Sequence, residues 1–296
     1  SVDHATGEIH VTTADTVSSG DIQGGSSDVL TFLESISSES SYTLSQRFDG
    51  SAHRVTDGQS FDGLQIGKFA GNEVFGSEVI YMSPASNLNA GGFYVADEDI
   101  VYHDTRTGAW QLLFDGSDVG INTDVNAFHL LDDGSMLLSF NTTTAVDGVG
   151  SVLPPDIVRF IPSSTGEHTD GDFEFYFDGS DVGLTTYYED VDAISLDPDG
   201  NLIVSVSGPY SVEGVSGTDA DLLKFHATSL GSDTVGSWQL HFDGSDLAMT
   251  SSTEDITGVS THPITGQIYF TTLGRVATPT FSGLGTDVLT CSDGTV

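Results

Sequence analysis

The stretch DVDAISLDPDGNLIVSVSG, residues 190–208, holds two runs of β-forming residues around a Pro-Asp-Gly turn. Val191, Ile194, Leu202, Ile203, Val204 and Val206 suit a pleated, half-buried surface. Pro198 fixes φ, Asp199 offers a side chain to its own backbone, and Gly200 accepts a positive φ, so the two runs read as one hairpin. A single hairpin decides little, but this one recurs. A turn glycine before a β-rich run stands at Gly7, Gly76, Gly134, Gly200 and Gly266. An Asp followed by two β-formers opens DVLTF at Asp28, DIVYH at Asp99, DIVRF at Asp156, DLLKF at Asp221 and DVLTC at Asp287. The tetrapeptide FDGS begins at Phe48, Phe114, Phe177 and Phe242, with spacings of 66, 63 and 65 residues, each copy after a segment such as WQLL or FEFY.

Three landmarks in a fixed order define a unit of about 65 residues with four strands. In the fourth copy the strands are DVDAISLD, NLIVSVS, DLLKFHA and SWQLHFD, each bounded by turn residues. Helical periodicity is absent. Tandem four-stranded antiparallel units are the blades of a β-propeller, which buries most sheet edges by radial packing. The expected architecture is therefore all-β: a single five-bladed β-propeller over 1–296, with repeats at about 1–50, 51–116, 117–179, 180–244 and 245–296. The fifth repeat stops at SDGTV before its fourth strand, and the N-terminus has no spare strand to offer, so the last blade is expected to be one strand short.

The hairpins LDPDGNLIVSVSG and THPITGQIYFTT resemble the inner hairpins of NHL-type and gluconolactonase-type propellers, a likeness of layout that extends over the whole chain and indicates no particular subfamily. The resemblance implies a propeller fold and, from the gluconolactonase side, a calcium-assisted lactonase activity in the channel. The six blades and channel Glu and Asn ligands typical of that family have no counterpart assignable here.

Composition narrows the function. With 44 Asp and Glu against 7 Lys and Arg, a formal net charge of −37 repels phosphate backbones and anionic lipid, so neither nucleic acid nor membrane insertion is expected. Self-repulsion on this scale calls for counter-ions, and clustered carboxylates favour calcium as cofactor. The single Cys291 allows no internal disulfide; it falls where other repeats have Phe32, Phe160 and Phe225, so a buried thiol is expected. An acidic, Ser/Thr/Gly-rich, Lys-poor chain fits an extracellular or cell-surface location, or a halophile. Asn141 opens an N-x-T glycosylation sequon.

In a propeller the links into the innermost strand and between the second and third strands emerge on one face, so the acids gather there. The Asp of each DGSD reads as a turn former. Asp28, Asp99, Asp156, Asp221 and Asp287 read as caps on inter-strand turns. Asp62, Asp124, Asp190, Asp192 and Asp255, where each inner strand enters the channel beside Ser60, Asn126 and Thr257, are the candidate metal ligands, with plain solvation as the alternative. Glu189 and Glu254 are expected to face solvent, and His4 and His262 to pack in matching turns. No GxSxG, Walker A or HExxH motif is present, and no catalytic residue is assigned.

These features point to a non-enzymatic extracellular or cell-surface propeller, calcium-stabilised, serving as a structural, adhesive or filament-forming module. Residues 287–296 would offer an open edge for self-association. The alternatives are a calcium-dependent lactonase or other hydrolase, a five-bladed glycosidase using two carboxylates, or a glycan-binding propeller.

Overall fold

The computed structural model describes residues 60–67, 79–90, 92–279 and 281–292, together with the backbone of strands Val2–Asp3, Glu8–Thr12, Val17–Ser19, Ile22–Gly24, Val29–Phe32 and Thr43–Phe48. Every regular element among them is a strand or a one-turn 3-10 helix. No helix among the described residues is long and apolar enough to cross a membrane.

Four antiparallel four-stranded sheets form the body. Blade I comprises Phe61–Gly67, Val79–Pro84, Ile100–Asp104 and Ala109–Phe114. Blade II comprises Val125–Leu130, Met136–Phe140, Ile157–Ser164 and Asp170–Phe177. Blade III comprises Val191–Leu196, Leu202–Val206, Leu222–Ser229 and Val235–Phe242. Blade IV takes Ile256–Thr261, Ile268–Thr272 and Val288–Ser292 from the end of the chain, and its fourth strand is Thr43–Phe48.

The first strands of the blades adjoin in the order I, II, III, IV and back to I, and opposite ones also approach across the axis, so the ring is closed around a narrow centre. The fold is a four-bladed β-propeller. Four apolar clusters fill the four joints: Ile100 and Phe114 with Phe128 and Phe160 between I and II, Ile157 and Phe177 with Phe225 and Trp238 between II and III, Phe242 with Phe270 between III and IV, and Tyr269 and Val288 with Phe61 and Met82 between IV and I. The FDGS phenylalanine of one blade meets the third-strand phenylalanine of the next, Phe114 with Phe160 at 5.1 Å and Phe177 with Phe225 at 5.2 Å, both edge to face. In blade IV that third-strand position is Cys291, and Phe242 meets Phe270 of the neighbouring strand instead, at 6.0 Å.

Two expectations are thereby corrected. The repeat occurs five times, but four blades make the ring, because the first repeat gives up its last strand. Its earlier strands Val2–Asp3, Glu8–Thr12 and Val29–Phe32 form a separate three-stranded sheet. The final blade is complete: Val288 pairs with Phe48, Leu289 with Gln46 and Ser292 with Thr43. This is the register in which Ile157 pairs with Phe177 and Val158 with Phe175. Phe48 therefore takes the place that Phe177 takes in blade II, and the edge at 288–292 on which filament growth was expected is covered from within the chain. The contact follows from ladder geometry: a strand that ends in FDGS pairs with a third strand that opens with Asp and two β-formers, as in blades I to III. Asp28, His4 and the side chain of Cys291 lie outside the described residues.

Candidate functional site: an acid centre on the propeller axis

Each inner strand carries a β-bulge at the same place, after Phe61, Val125, Val191 and Ile256. A bulge leaves one residue out of the ladder and re-aims its side chain. The bulged residues are Asp62, Asn126, Asp192 and Thr257, all buried. Two places earlier in each strand stand Ser60, Asp124, Asp190 and Asp255, of which Asp190 is half-buried and the others buried. Chain direction and bulge thus bring all five aspartates expected at the channel mouth to one end of the axis.

Each bulged side chain reaches toward the next blade. Asn126 Nδ2 donates to the carbonyl of Val191 at 3.0 Å, and Thr257 Oγ1 donates to the carbonyl of Phe61 at 2.6 Å. The bulged residues of blades I and III are carboxyls, and they face carboxyls: Asp62 stands beside Asp124 and Asp192 beside Asp255, so that a protonated member can donate to its neighbour. No N–H or hydroxyl among the described residues meets either oxygen of Asp192. A carboxyl can donate only while it holds its proton. Burial first, then the neighbouring Asp124, raises Asp62 well above the usual carboxylate range; burial, then Asp255 and Asp190, does the same to Asp192. Their acceptors also titrate high. Burial, with Asp97 nearby, lifts Asp124 to about 7, and burial, with Asp219 nearby, lifts Asp255 to about 8. Asp124 additionally accepts from Asn141 Nδ2 at 2.8 Å, and Asp190 from the Ser207 hydroxyl.

The remaining acids have structural duties. Asp99, Asp156 and Asp221 each span two backbone amides, one three residues upstream and one on the FDGS glycine: Asp156 takes Leu153 N at 2.8 Å and Gly179 N at 3.2 Å. Asp287 takes Leu284 N in the same way. Asp115, Asp178 and Asp243 each accept from the backbone amide and hydroxyl of the serine two residues on, as expected of turn formers. His262 Nδ1 caps its own turn by accepting from the amides of Ile264 and Thr265, each at 3.2 Å.

The expectation for Glu189 and Glu254 is overturned: both are buried. Glu189 accepts from the amides of Thr185, Thr186 and Ser211, and Glu254 from those of Thr250, Ser251 and Ala277. For Glu189, burial pushes the carboxyl up, but these amides outweigh it and hold it below its usual range. The sequence signal was a Thr-Thr or Thr-Ser pair four residues before each Glu, a loop whose free amides need an acceptor. The second DGSD aspartates were also passed over. Asp118 and Asp181 hold the Thr169 and Thr234 amides at 2.9 Å, while those threonine hydroxyls accept from the amides of Asp115 and Asp178.

Among the described residues, no three His, Cys, Asp or Glu side chains stand so as to hold a metal ion. Burial favours the protonated form of these carboxyls, so calcium would have to displace protons to be held by them.

No protein-family profile matches the chain, and no curated protein matches it. Among solved structures, it is similar to a gluconolactonase from Xanthomonas campestris, at 11% identity and TM-score 0.36, covering 85% of this chain and 89% of that one. A second structure reported under the gluconolactonase name shows 14% identity and TM-score 0.33, over 85% of this chain and 98% of that one. The extracellular domain of a one-component system from B. thetaiotaomicron shows 12% identity and TM-score 0.31, over 79% of this chain and 35% of that one. Likeness at this level bears on neither activity nor ligand.

Proposed function

We propose that the propeller is a hydrolase whose working groups are the axial carboxyl pairs, acting on a lactone, ester or glycoside. What supports the reading is the placement of two buried aspartate pairs on the axis: burial and neighbouring carboxylates lift Asp124 to about 7 and Asp255 to about 8, and each stands beside a second buried aspartate, Asp62 or Asp192, raised well above its usual range. General acid–base catalysis is most effective when the group's pKa lies near the working pH. In such a pair the ionised carboxylate takes a proton from water as its oxygen attacks the carbonyl carbon of a lactone or ester, or the anomeric carbon of a glycoside. The protonated partner passes its proton to the oxygen that leaves, and the pair ends with its single proton exchanged. Asp192 with Asp255 is the first pair to assign, and Asp62 with Asp124 the second. The net charge of −37 favours neutral or cationic substrates over phosphorylated ones. A screen of lactones, esters and glycosides between about pH 5 and 8 tests this. Turnover should fall by about 100-fold or more in Asp192→Asn and Asp255→Asn. Equal rates in wild type and both variants would sink the assignment.

The second reading is a non-enzymatic extracellular module in which Asp62, Asp124, Asp190, Asp192 and Asp255 exchange protons for calcium. It rests on the same concentration of carboxylates in a chain with seven basic residues. Under this reading, calcium added at pH 8 raises the melting temperature and a chelator reverses the gain, with no catalytic turnover in the screen. A melting temperature indifferent to both would dismiss it.

A further inference from the structure

The loops entering blades III and IV share one scaffold. In TTYYED, 185–190, Glu189 gathers the amides of Thr185 and Thr186 and donates its own to the Thr186 carbonyl at 3.1 Å; in TSSTED, 250–255, Glu254 gathers those of Thr250 and Ser251 and donates to the Ser251 carbonyl at 2.8 Å. The tips differ. Where blade IV has Ser252 and Thr253, blade III presents Tyr187 and Tyr188. Tyr187 is 89% exposed and Tyr188 59%, and their rings stand at 80° with centroids 5.6 Å apart. Tyr188 is held from below by Gly208, where an added Cβ would come within 2.8 Å of the Tyr188 Cβ. Framework residues recur from blade to blade, whereas this aromatic corner occurs once, on a loop whose backbone is already fixed. Neither ring serves the core.

Around the corner the charge is of one sign. The two segments that form this face of blade III, 178–190 and 207–221, contain seven acidic residues, with Asp181 and Glu213 exposed, and no Lys or Arg. Aromatic faces attract cations through their quadrupole, and guanidinium both stacks and pairs with carboxylates. We propose that Tyr187 and Tyr188 form a docking corner for an arginine-bearing basic segment of a partner protein. The guanidinium lies over a tyrosine face, and flanking basic residues answer Asp181 and Glu213. The corner stands on the loop that leads to Asp190, but the docking uses the two exposed rings and not the carboxyl pairs, Asp62 with Asp124 and Asp192 with Asp255, so it does not depend on their activity.

Titration calorimetry of the full chain with nona-arginine at about 0.15 M salt, where long-range attraction is screened, tests the proposal. The Tyr187→Ala/Tyr188→Ala variant should bind about 5-fold more weakly or worse, with an unchanged melting temperature because both rings are exposed. Tyr187→Phe/Tyr188→Phe should stay within about 2-fold of wild type, and nona-lysine should bind less tightly than nona-arginine. Equal affinity for wild type and the alanine variant would reduce the interaction to bulk charge and overturn the proposal. So would tyrosine-dependent binding of a neutral oligosaccharide such as maltoheptaose in place of the arginine peptide.

Discussion

Asp62, Asn126, Asp192 and Thr257 occupy one structural position with one requirement, a hydrogen-bond donor directed at the next blade. Amide and hydroxyl donate at any pH; the two carboxyls donate only while protonated. Their folded pKa values lie above the unfolded value near 3.8, and those of Asp124 and Asp255 reach about 7 and about 8. For groups raised on folding, stability is complete below the unfolded pKa and is lost as pH climbs through the folded one. The melting temperature of the metal-free protein should therefore decline as pH rises from about 4 through 8. Asp62→Asn and Asp192→Asn keep the donor, as Asn126 does naturally, and remove the titration. Each should melt higher than wild type at pH 8, with a flatter profile; a variant that melts lower at pH 8 would contradict the assignment of donors. Asp62→Ala removes the donor that faces Asp124 and leaves it only Asn141, and should cost about 1–3 kcal/mol below pH 6. The acids themselves were legible in the sequence from their place before each inner strand. The rule they obey was not: Asp62, Asn126, Asp192 and Thr257 align as one position in the repeats, but what that position does shows only once the bulge turns each side chain toward the next blade.

Among the elements, the FDGS turn shows how a repeat tolerates exceptions. Its 3-10 turn ends in a left-handed residue, which is Gly120 at φ 80° in the turn before blade II and Gly183 at φ 98° before blade III. Before blade IV the residue is Ala248, held at φ 61°. A Cβ in that region strains the backbone. Ala248→Gly should stabilise the chain by about 1 kcal/mol, and Gly183→Ala should destabilise it by a similar amount, both read by chemical denaturation. No change in either would mean that the turn relaxes out of the left-handed conformation. The Asp156-type bridge is the companion device, since one carboxylate secures both the turn before the third strand and the glycine after the fourth. Asp156→Ala should cost about 1–3 kcal/mol. These turns were readable from Asp and Gly spacing alone. The burial of Glu189 and Glu254 was not, because an acid beside another acid looks solvated unless the amides that need it are counted.

For the whole molecule, the strand pattern identified a propeller but miscounted its blades. Sequence period gives the number of repeats; the number of blades depends on where the ring closes, and here closure borrows Thr43–Phe48 from the first repeat to finish blade IV. Adjacent repeats carry interchangeable fourth strands, so no local residue marks which sheet a given copy joins. Truncation separates the two roles. Removing residues 1–40 should leave a cooperatively melting ring, because the four blades keep all sixteen strands. Removing 1–48 strips the closing strand and bares Val288–Ser292, so the product should melt lower and associate, as exposed edges do. Similar melting of the two truncations would show that closure adds nothing.

The orientation of that closing ladder decides how the ring yields to force. Thr43 lies opposite Ser292 and Phe48 opposite Val288, so the chain enters and leaves the seam at the same end. Tension applied through flanking sequence would peel the two strands apart one rung at a time, like a zip, and the load would never be shared along the seam. A propeller latched in this way is mechanically soft along its own backbone, and stretching in optical tweezers should release blade IV first, at low force.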